Sequence, residues 1–313
     1  MAAGGPASSR TAREAGCSYG GHTGAVMALK DLLVYVDQTE TSPARLRLAV
    51  DLASRHGSHL TALYVREWNR EQLQRRKSAE LGLVSAAALR SLDQDIEAAI
   101  DAAAEQLRTT LAALAREHGV AAQLCRVDGA AATVVPQYAR YADLCIVGND
   151  QPEGRASVEY TFPEQLLFVT GRPVLFVPGA GDFATLGRHI CVAWNASRPA
   201  ARSINDALPL IERAERASVL MVNPSGFIDA HPAPPGEQIV EHLRRHGAVA
   251  DAVQMDDVPA ASIADTLQAK ARALGADMIV AGAFGHPRLW EKLLGGVTHD
   301  LIARMSLPIF MSH

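Results

Sequence analysis

The sequence predicts an α/β fold: two doubly wound, five-stranded parallel-sheet domains in tandem, of the flavodoxin or Rossmann-like kind. Three observations support this. The chain has 313 residues, about the length of two ordinary domains. Its strand-like apolar runs lack polar alternation and are separated by helical segments, which is typical of a parallel sheet covered on both faces. The same arrangement also occurs twice along the chain.

The repeat is visible at three pairs of segments. They are 32–37 (LLVYVD) with 190–195 (ICVAWN), 142–148 (ADLCIVG) with 276–282 (ADMIVAG), and 172–177 (RPVLFV) with 307–311 (LPIFM). A repeat of this length indicates one fold written twice. We therefore predict a disordered tail at 1–27, a first domain at 28–178, a linker at 179–187 and a second domain at 188–313.

In the second domain each apolar run predicts a strand and each intervening segment a helix. The strands are expected at about 189–194, 217–222, 248–255, 277–281 and 308–312, and the helices at about 198–214, 236–246, 261–274 and 297–305. Right-handed crossovers then give the doubly wound layer. The first domain has a longer second crossover, with a charged stretch and a long helix at about 85–118.

Composition limits the function. The net charge of −4 argues against a general nucleic-acid binder, which needs a basic face. No run approaches the ~20 apolar residues of a membrane span, and residues 1–26 do not form a signal peptide, so we expect a cytoplasmic protein without a membrane partner. Four cysteines without a close pair predict buried small hydrophobes in a reducing compartment.

A glycine-rich segment near the C-terminus is the candidate binding site. Gly282 and Gly285 follow an apolar strand, and Gly295 and Gly296 precede a helical pattern that contains Thr298. The glycines permit positive φ and close approach of backbone to ligand. Free N–H groups at the positive end of a helix dipole form an anion site, and phosphate is the usual anion.

The end of the first strand of the second domain should face this segment. In open parallel sheets, ligands bind outside the carboxyl ends of strands where the strand order reverses. That crevice would bring Asn195 opposite Gly282 and its loop. A nucleotide there would have its base or ribose near Asn195 and its phosphates on the amides of Gly295 and Gly296.

Together these residues resemble the universal stress protein family, in its tandem form. That family has Asp after its first strand and Gly-x2-Gly-x9-Gly-Ser/Thr after its fourth. Gly282, Gly285 and Gly295 fit the pattern, whereas Gly296 replaces the Ser/Thr and Asn195 replaces the Asp. Thr298 matches a further hydroxyl of many members; it is read either as a ligand to phosphate or as a helix cap.

The resemblance implies a stress-response protein with a regulatory or sensor role that binds an adenine nucleotide, ATP with Mg²⁺, in its C-terminal domain. It also implies an internal pseudo-dimer through the last strands, Val174 to Val177 against Ile309 to Met311, and allows a further homodimer. A protein–protein scaffold without nucleotide is the alternative, and a slow ATP hydrolase a third reading. No nucleophile turn or Walker loop is present to predict catalysis.

The first domain is predicted to be structural. Alignment of the repeats places Phe162 and Pro163 opposite Gly296 and Val297, so a side chain fills the space of a phosphate and one N–H donor is lost. Asp37 is then interpreted as a turn or helix-capping carboxylate. His286 and His299 are interpreted as ordinary surface histidines, without metal-binding spacing.

Overall fold

The described part of the chain folds into one ten-stranded sheet with helices on both faces. The computed structural model describes residues 29–66, 86–149, 162–181, 183, 186–224, 235–283 and 296–313. The first half contains β1 (Asp31–Val36), α1 (Ser42–His56), β2 (His59–Arg66), α2 (Ala86–His118), β3 (Ala121–Asp128), α3 (Ala131–Ala139), β4 (Leu144–Gly148), α4 (Phe162–Val169) and β5 (Val174–Val177). The second contains β6 (His189–Ala193), α5 (Arg198–Ile211), β7 (Arg216–Val222), α6 (Pro235–Arg245), β8 (Ala250–Met255), a 3₁₀ turn (Ala260–Ser262), α7 (Ile263–Ala273), β9 (Met278–Gly282), α8 (Gly296–Ala303) and β10 (Ile309–Ser312).

The strand order is β3-β2-β1-β4-β5-β10-β9-β6-β7-β8. Neighbouring strands are parallel within each half, while β5 and β10 pair antiparallel and join the halves. The predicted fold class and the predicted last-strand contact are both confirmed: Phe310 pairs with Leu175 in this seam, and Met311 with Val174. The predicted elements of the second half are confirmed to within a few residues at their ends; the domain limits themselves stay a prediction.

Each face of the sheet carries one apolar layer that runs through both halves. Along β1, Leu32 and Val34 join the layer on one face and Leu33 the layer on the other, as the two-residue period of a strand requires. The first layer contains Phe310 from the second half, and the second contains Phe176 from the first. The two halves therefore share their cores rather than merely touching.

The longest helix, α2, confirms the helix predicted at 85–118. It packs along β3 and α1. The charged residues predicted to precede it fall at 67–85, outside the described residues. Among the helices that the structure describes, none is both long and apolar enough to cross a membrane.

The cysteines of the central strands behave as small hydrophobes. Cys145 and Cys191 are fully buried, and burial raises the pKa of each thiol to about 12. Cys125 is half-buried on the edge strand β3. The prediction of buried thiols is thus confirmed for Cys145 and Cys191; Cys17 lies outside the described residues.

Side chains across the seam extend the contact between the halves. Glu164 of α4 is 1% exposed, and its Oε1 lies 2.7 Å from Nδ1 of His299 on α8. Asn149, which follows β4, donates from Nδ2 to the backbone carbonyl of Ile302. The side chain of His299 is 45% exposed, so its predicted surface position is confirmed, but the antiparallel seam also brings it against a buried carboxylate of the other half, which was not predicted.

We expect Phe310→Ala to destabilise the whole chain, because Phe310 is fully buried in the seam and contributes to the shared core. Loss of a buried phenyl ring costs about 3–5 kcal/mol of unfolding free energy, measurable by urea denaturation. Val249→Ala is the control: Val249 is 66% exposed, and its loss should change stability by less than about 0.5 kcal/mol. A loss below about 1 kcal/mol for Phe310→Ala would show that the seam is dispensable for stability.

On the opposite face of the sheet, His56 is a buried histidine with a lowered pKa. His56 ends α1, and its pKa is lowered to about 4 by burial, then by the nearby charges of Arg213 and Arg55. Arg213 belongs to the second half and donates to the backbone carbonyl of Arg55. The neutral state of His56 thus depends in part on a residue of the other half.

Acid should destabilise the protein partly through His56. In the unfolded chain His56 becomes protonated as the pH falls below 6.5, whereas in the folded protein it stays neutral down to about pH 4. The unfolded state therefore binds more protons between these values, and the free energy of unfolding falls as the pH is lowered through this range. His56→Gln should remove roughly 1–2 kcal/mol of the stability difference between pH 7 and pH 4.5, after allowance for solvent screening. Urea denaturation of both proteins at both pH values measures this; an unchanged difference would contradict it.

Candidate functional site

The predicted crevice lies where β6 and β9 run side by side. These strands are parallel neighbours, with Ala193 in register with Ala281, so their carboxyl ends open at the same edge of the sheet. The strand order reverses here, because β6 connects to β7 on one side while β9 and β10 lie on the other. The prediction that Asn195 lies opposite Gly282 requires β6 and β9 to be neighbours, and they are.

Asn195 lies exposed at the mouth of this crevice, in a turn of unusual backbone. Its Oδ1 accepts a hydrogen bond of 3.2 Å from the N–H of Ser197, which forms an Asx turn. Ser197 in turn caps α5, accepting from the N–H of Ala200 at 3.3 Å. Ala196 between them has a φ of 55°, a left-handed conformation that is strained for alanine. The turn therefore fixes the direction in which the Asn195 amide points.

Gly282 ends β9 and gives room to a helix. A Cβ on Gly282 would lie 2.3 Å from the amide nitrogen of Ala200 and 2.5 Å from the carbonyl carbon of Pro199. Its φ is outside the left-handed region, so the expectation that Gly282 supplies positive φ is wrong. The absence of a side chain allows the first turn of α5 to pack against the end of β9. The close backbone approach at Gly282 is therefore between a helix and a strand, rather than between the backbone and a ligand.

The start of α8 is exposed. Gly296 is the first residue of the helix, and among the residues that the structure describes no atom lies within 4 Å of where a Cβ would stand. Thr298 is buried inside the helix, two residues later, so its interpretation as a helix cap is wrong and its role as a ligand stays a prediction. Outside the described residues lie Gly285, His286 and Gly295.

The corresponding place in the first half is built differently. Asp37 accepts hydrogen bonds of 3.1 Å from the N–H of Thr39 and from Nη2 of Arg45, which is itself 1% exposed. The interpretation of Asp37 as a turn carboxylate is confirmed, and its buried arginine partner was not foreseen. Phe162 packs edge-on against Tyr35 at the end of β1, with ring centroids 5.5 Å apart.

A cleft of about 650 Å³ opens in this first half, which sequence reasoning missed. It lies at the carboxyl ends of β1 and β2, and α2 forms its far wall. Its lining includes Tyr35, Asp37, Tyr64, Arg66, Ile100 and Leu107. The one sequence signal that could have indicated it is the longer second crossover, which brings the additional wall. Among the described side chains no group of three or more His, Cys, Asp or Glu is placed to hold a metal ion.

Comparison with known proteins identifies the fold. No family model matches the chain, and no curated protein matches it in sequence. Among solved structures, a universal stress protein from Archaeoglobus fulgidus DSM 4304 superposes with a TM-score of 0.66 at 15% identity, covering 90% of this chain and 95% of that one. A putative universal stress protein from Pseudomonas aeruginosa UCBPP-PA14 gives 0.52 at 18% identity, covering 92% and 95%. The fold is that of a tandem universal stress protein.

Smaller universal stress proteins match one half of the chain. One, solved in complex with cAMP, covers 49% of this chain and 98% of its own at 17% identity, with a TM-score of 0.32.

We expect Gly282 and Gly296 to differ sharply when each is changed to alanine. Gly282→Ala forces a methyl group into the backbone of α5 and should cost at least about 1–3 kcal/mol of unfolding free energy. Gly296→Ala meets open space in a first helical turn and should be neutral or stabilising by up to about 1 kcal/mol. Thermal and urea unfolding of both variants measure this, and equal effects would refute the packing role of Gly282.

Proposed function

We propose that this chain is a stress-response protein whose C-terminal half binds an adenine nucleotide, ATP with Mg²⁺, in a regulatory or sensor role. The observation that carries the proposal is the open start of α8. Gly296 presents the N-terminal end of α8 with no described side chain over it, and α8 is the helix that follows β9, the strand that borders the switch point. Phosphate binds at such helix ends because the dipole and the free N–H groups both favour an anion.

The nucleoside end of the proposed site is the Asn195 turn. Its amide is exposed beside β9 and held by the bond to Ser197, so it is set to hydrogen-bond a ribose hydroxyl. Asp37 makes the same turn to Thr39 in the first half, so an aspartate is compatible with this backbone. Asn195 lacks the charge of that aspartate, and we therefore expect Mg²⁺ to contribute little to affinity.

Gly296→Ser tests the proposal by a gain of function. The new hydroxyl would enter open space at the helix start, where a hydrogen bond to a charged phosphate contributes about 1.5–3 kcal/mol. ATP affinity measured by calorimetry should rise roughly 10- to 100-fold over the unaltered chain. Gly296→Ala is the matched control, since it adds the carbon without the hydroxyl, and should leave affinity within about threefold.

One outcome would decide against nucleotide binding, and another against the position proposed for the phosphates. Absence of heat with ATP for both the unaltered chain and Gly296→Ser would leave the protein–protein scaffold as the remaining function. An equal gain for Gly296→Ser and Gly296→Ala would show that the hydroxyl does not meet a phosphate. Incubation of ATP followed by chromatography separates a binder, which forms no ADP above blank, from a slow hydrolase.

A further inference from the structure

The cleft of the first half has the dimensions of a small-molecule site. Its volume of about 650 Å³ lies within the ~300–1,000 Å³ that such sites occupy. It sits at strand ends, as ligand sites in parallel sheets do, but on the β1–β2 side, under α2. The candidate nucleotide site belongs to the other half of the chain, so the two sites are separate.

Of the fourteen described residues that line the cleft, eight are apolar or aromatic and six are polar or charged. Tyr35 and Tyr64 form the floor at the strand ends, and α2 contributes Ile100, Ala103 and Leu107 along one face. Ile100 and Leu107 are only partly buried by the core, so part of their apolar surface faces the cleft. Covering such surface contributes about 25 cal/mol per Å², which favours an apolar occupant.

Both charged side chains that the structure describes in the lining have partners of opposite charge. Asp37 is paired with the buried Arg45 at 3.1 Å. Arg66 is held by Asp128, with Nε 2.7 Å from Oδ1 and Nη2 bonded to the second oxygen, and this pairing lowers the pKa of the Asp128 carboxyl. A charged ligand would thus find no unbalanced charge and would have to compete with an existing ion pair.

The two halves differ at the start of the helix after their fourth strand. In the second half this position is Gly296, whereas in the first half it is Phe162, whose aromatic ring lies against β1. Phe162 packs against Tyr35, which lines the cleft, and the lining continues from Tyr35 to α2. Gln38 donates from Nε2 to the Tyr64 hydroxyl at 2.9 Å, which leaves that hydroxyl able to donate to a ligand. Thr39, Gln106 and Thr110 add further neutral polar side chains to the lining, so the polar contacts available suit neutral hydrogen-bonding groups.

We propose that the first-half cleft binds an uncharged, mainly apolar small molecule that carries a hydroxyl or carbonyl group. The apolar lining supplies the affinity, and the Tyr64 hydroxyl orients the polar group. The two ion pairs exclude charged relatives of the ligand. The chain would thus hold two chemically different ligands, one in each half.

The test uses the full chain and the neutral dye Nile red, followed by its fluorescence. We expect saturable binding that Ala103→Trp and Ala99→Trp each weaken at least tenfold, because both positions line the cleft and an indole would fill it. Ala112→Trp is the matched control on the exposed opposite face of α2, and should stay within twofold. Unchanged melting temperatures confirm that the variants fold.

Competition establishes the charge preference. Decanol should displace Nile red at a concentration at least tenfold lower than decanoate, while ATP should not displace it. Non-saturable dye binding, equal binding by Ala103→Trp, Ala99→Trp and Ala112→Trp, or equal displacement by decanol and decanoate would each overturn the proposal. Displacement by ATP would assign the first-half cleft to nucleotide instead. The second-half proposal, tested at Gly296, stands or falls independently.

Discussion

The antiparallel pairing of β5 with β10 is the contact on which the rest of the architecture depends. A parallel five-stranded sheet leaves its last strand with unpaired N–H and C=O groups, and such bare apolar edges aggregate. Here each half covers the edge of the other, and both strands are fully buried. Pairing these strands also sets α4 against α8, which is why Glu164 can be buried beside His299. One set of backbone hydrogen bonds thus fixes the sheet, the shared cores and the interface between helices.

The fold could be read from the sequence because it is written twice and because buried parallel strands have a plain apolar signature. Strand order followed from the duplicated pattern, and so did the crevice between β6 and β9. What could not be read is where a missing side chain makes room. Gly282 fits a ligand-binding pattern, yet the space left by its missing side chain is occupied by the backbone of Pro199 and Ala200, which are far away in sequence. The contact between His299 and Glu164 could not be predicted either, because contacts between the halves depend on the antiparallel orientation of β5 and β10.

The two halves have diverged at the same structural position. After β9 the helix starts with a bare glycine, whereas after β4 the aligned residue is Phe162, which packs on Tyr35. The turn after the first strand is kept in both, by Asn195 in one and by Asp37 in the other. Only Asp37 has a buried arginine against it, and that pairing removes its charge from the neighbouring cleft. The two halves thus share this backbone and differ in the side chains that surround it.

Because both halves lie on one polypeptide, the seam forms within a molecule rather than between molecules. Two separate chains joined by the same strands would come apart on dilution below their dissociation constant, whereas a tether holds the partners at an effective concentration in the millimolar range or above. The edge of the sheet therefore stays closed however scarce the protein is. Contacts between the halves therefore need no assembly step. The charge of Arg213, for example, lowers the pKa of His56 in the other half whatever the expression level.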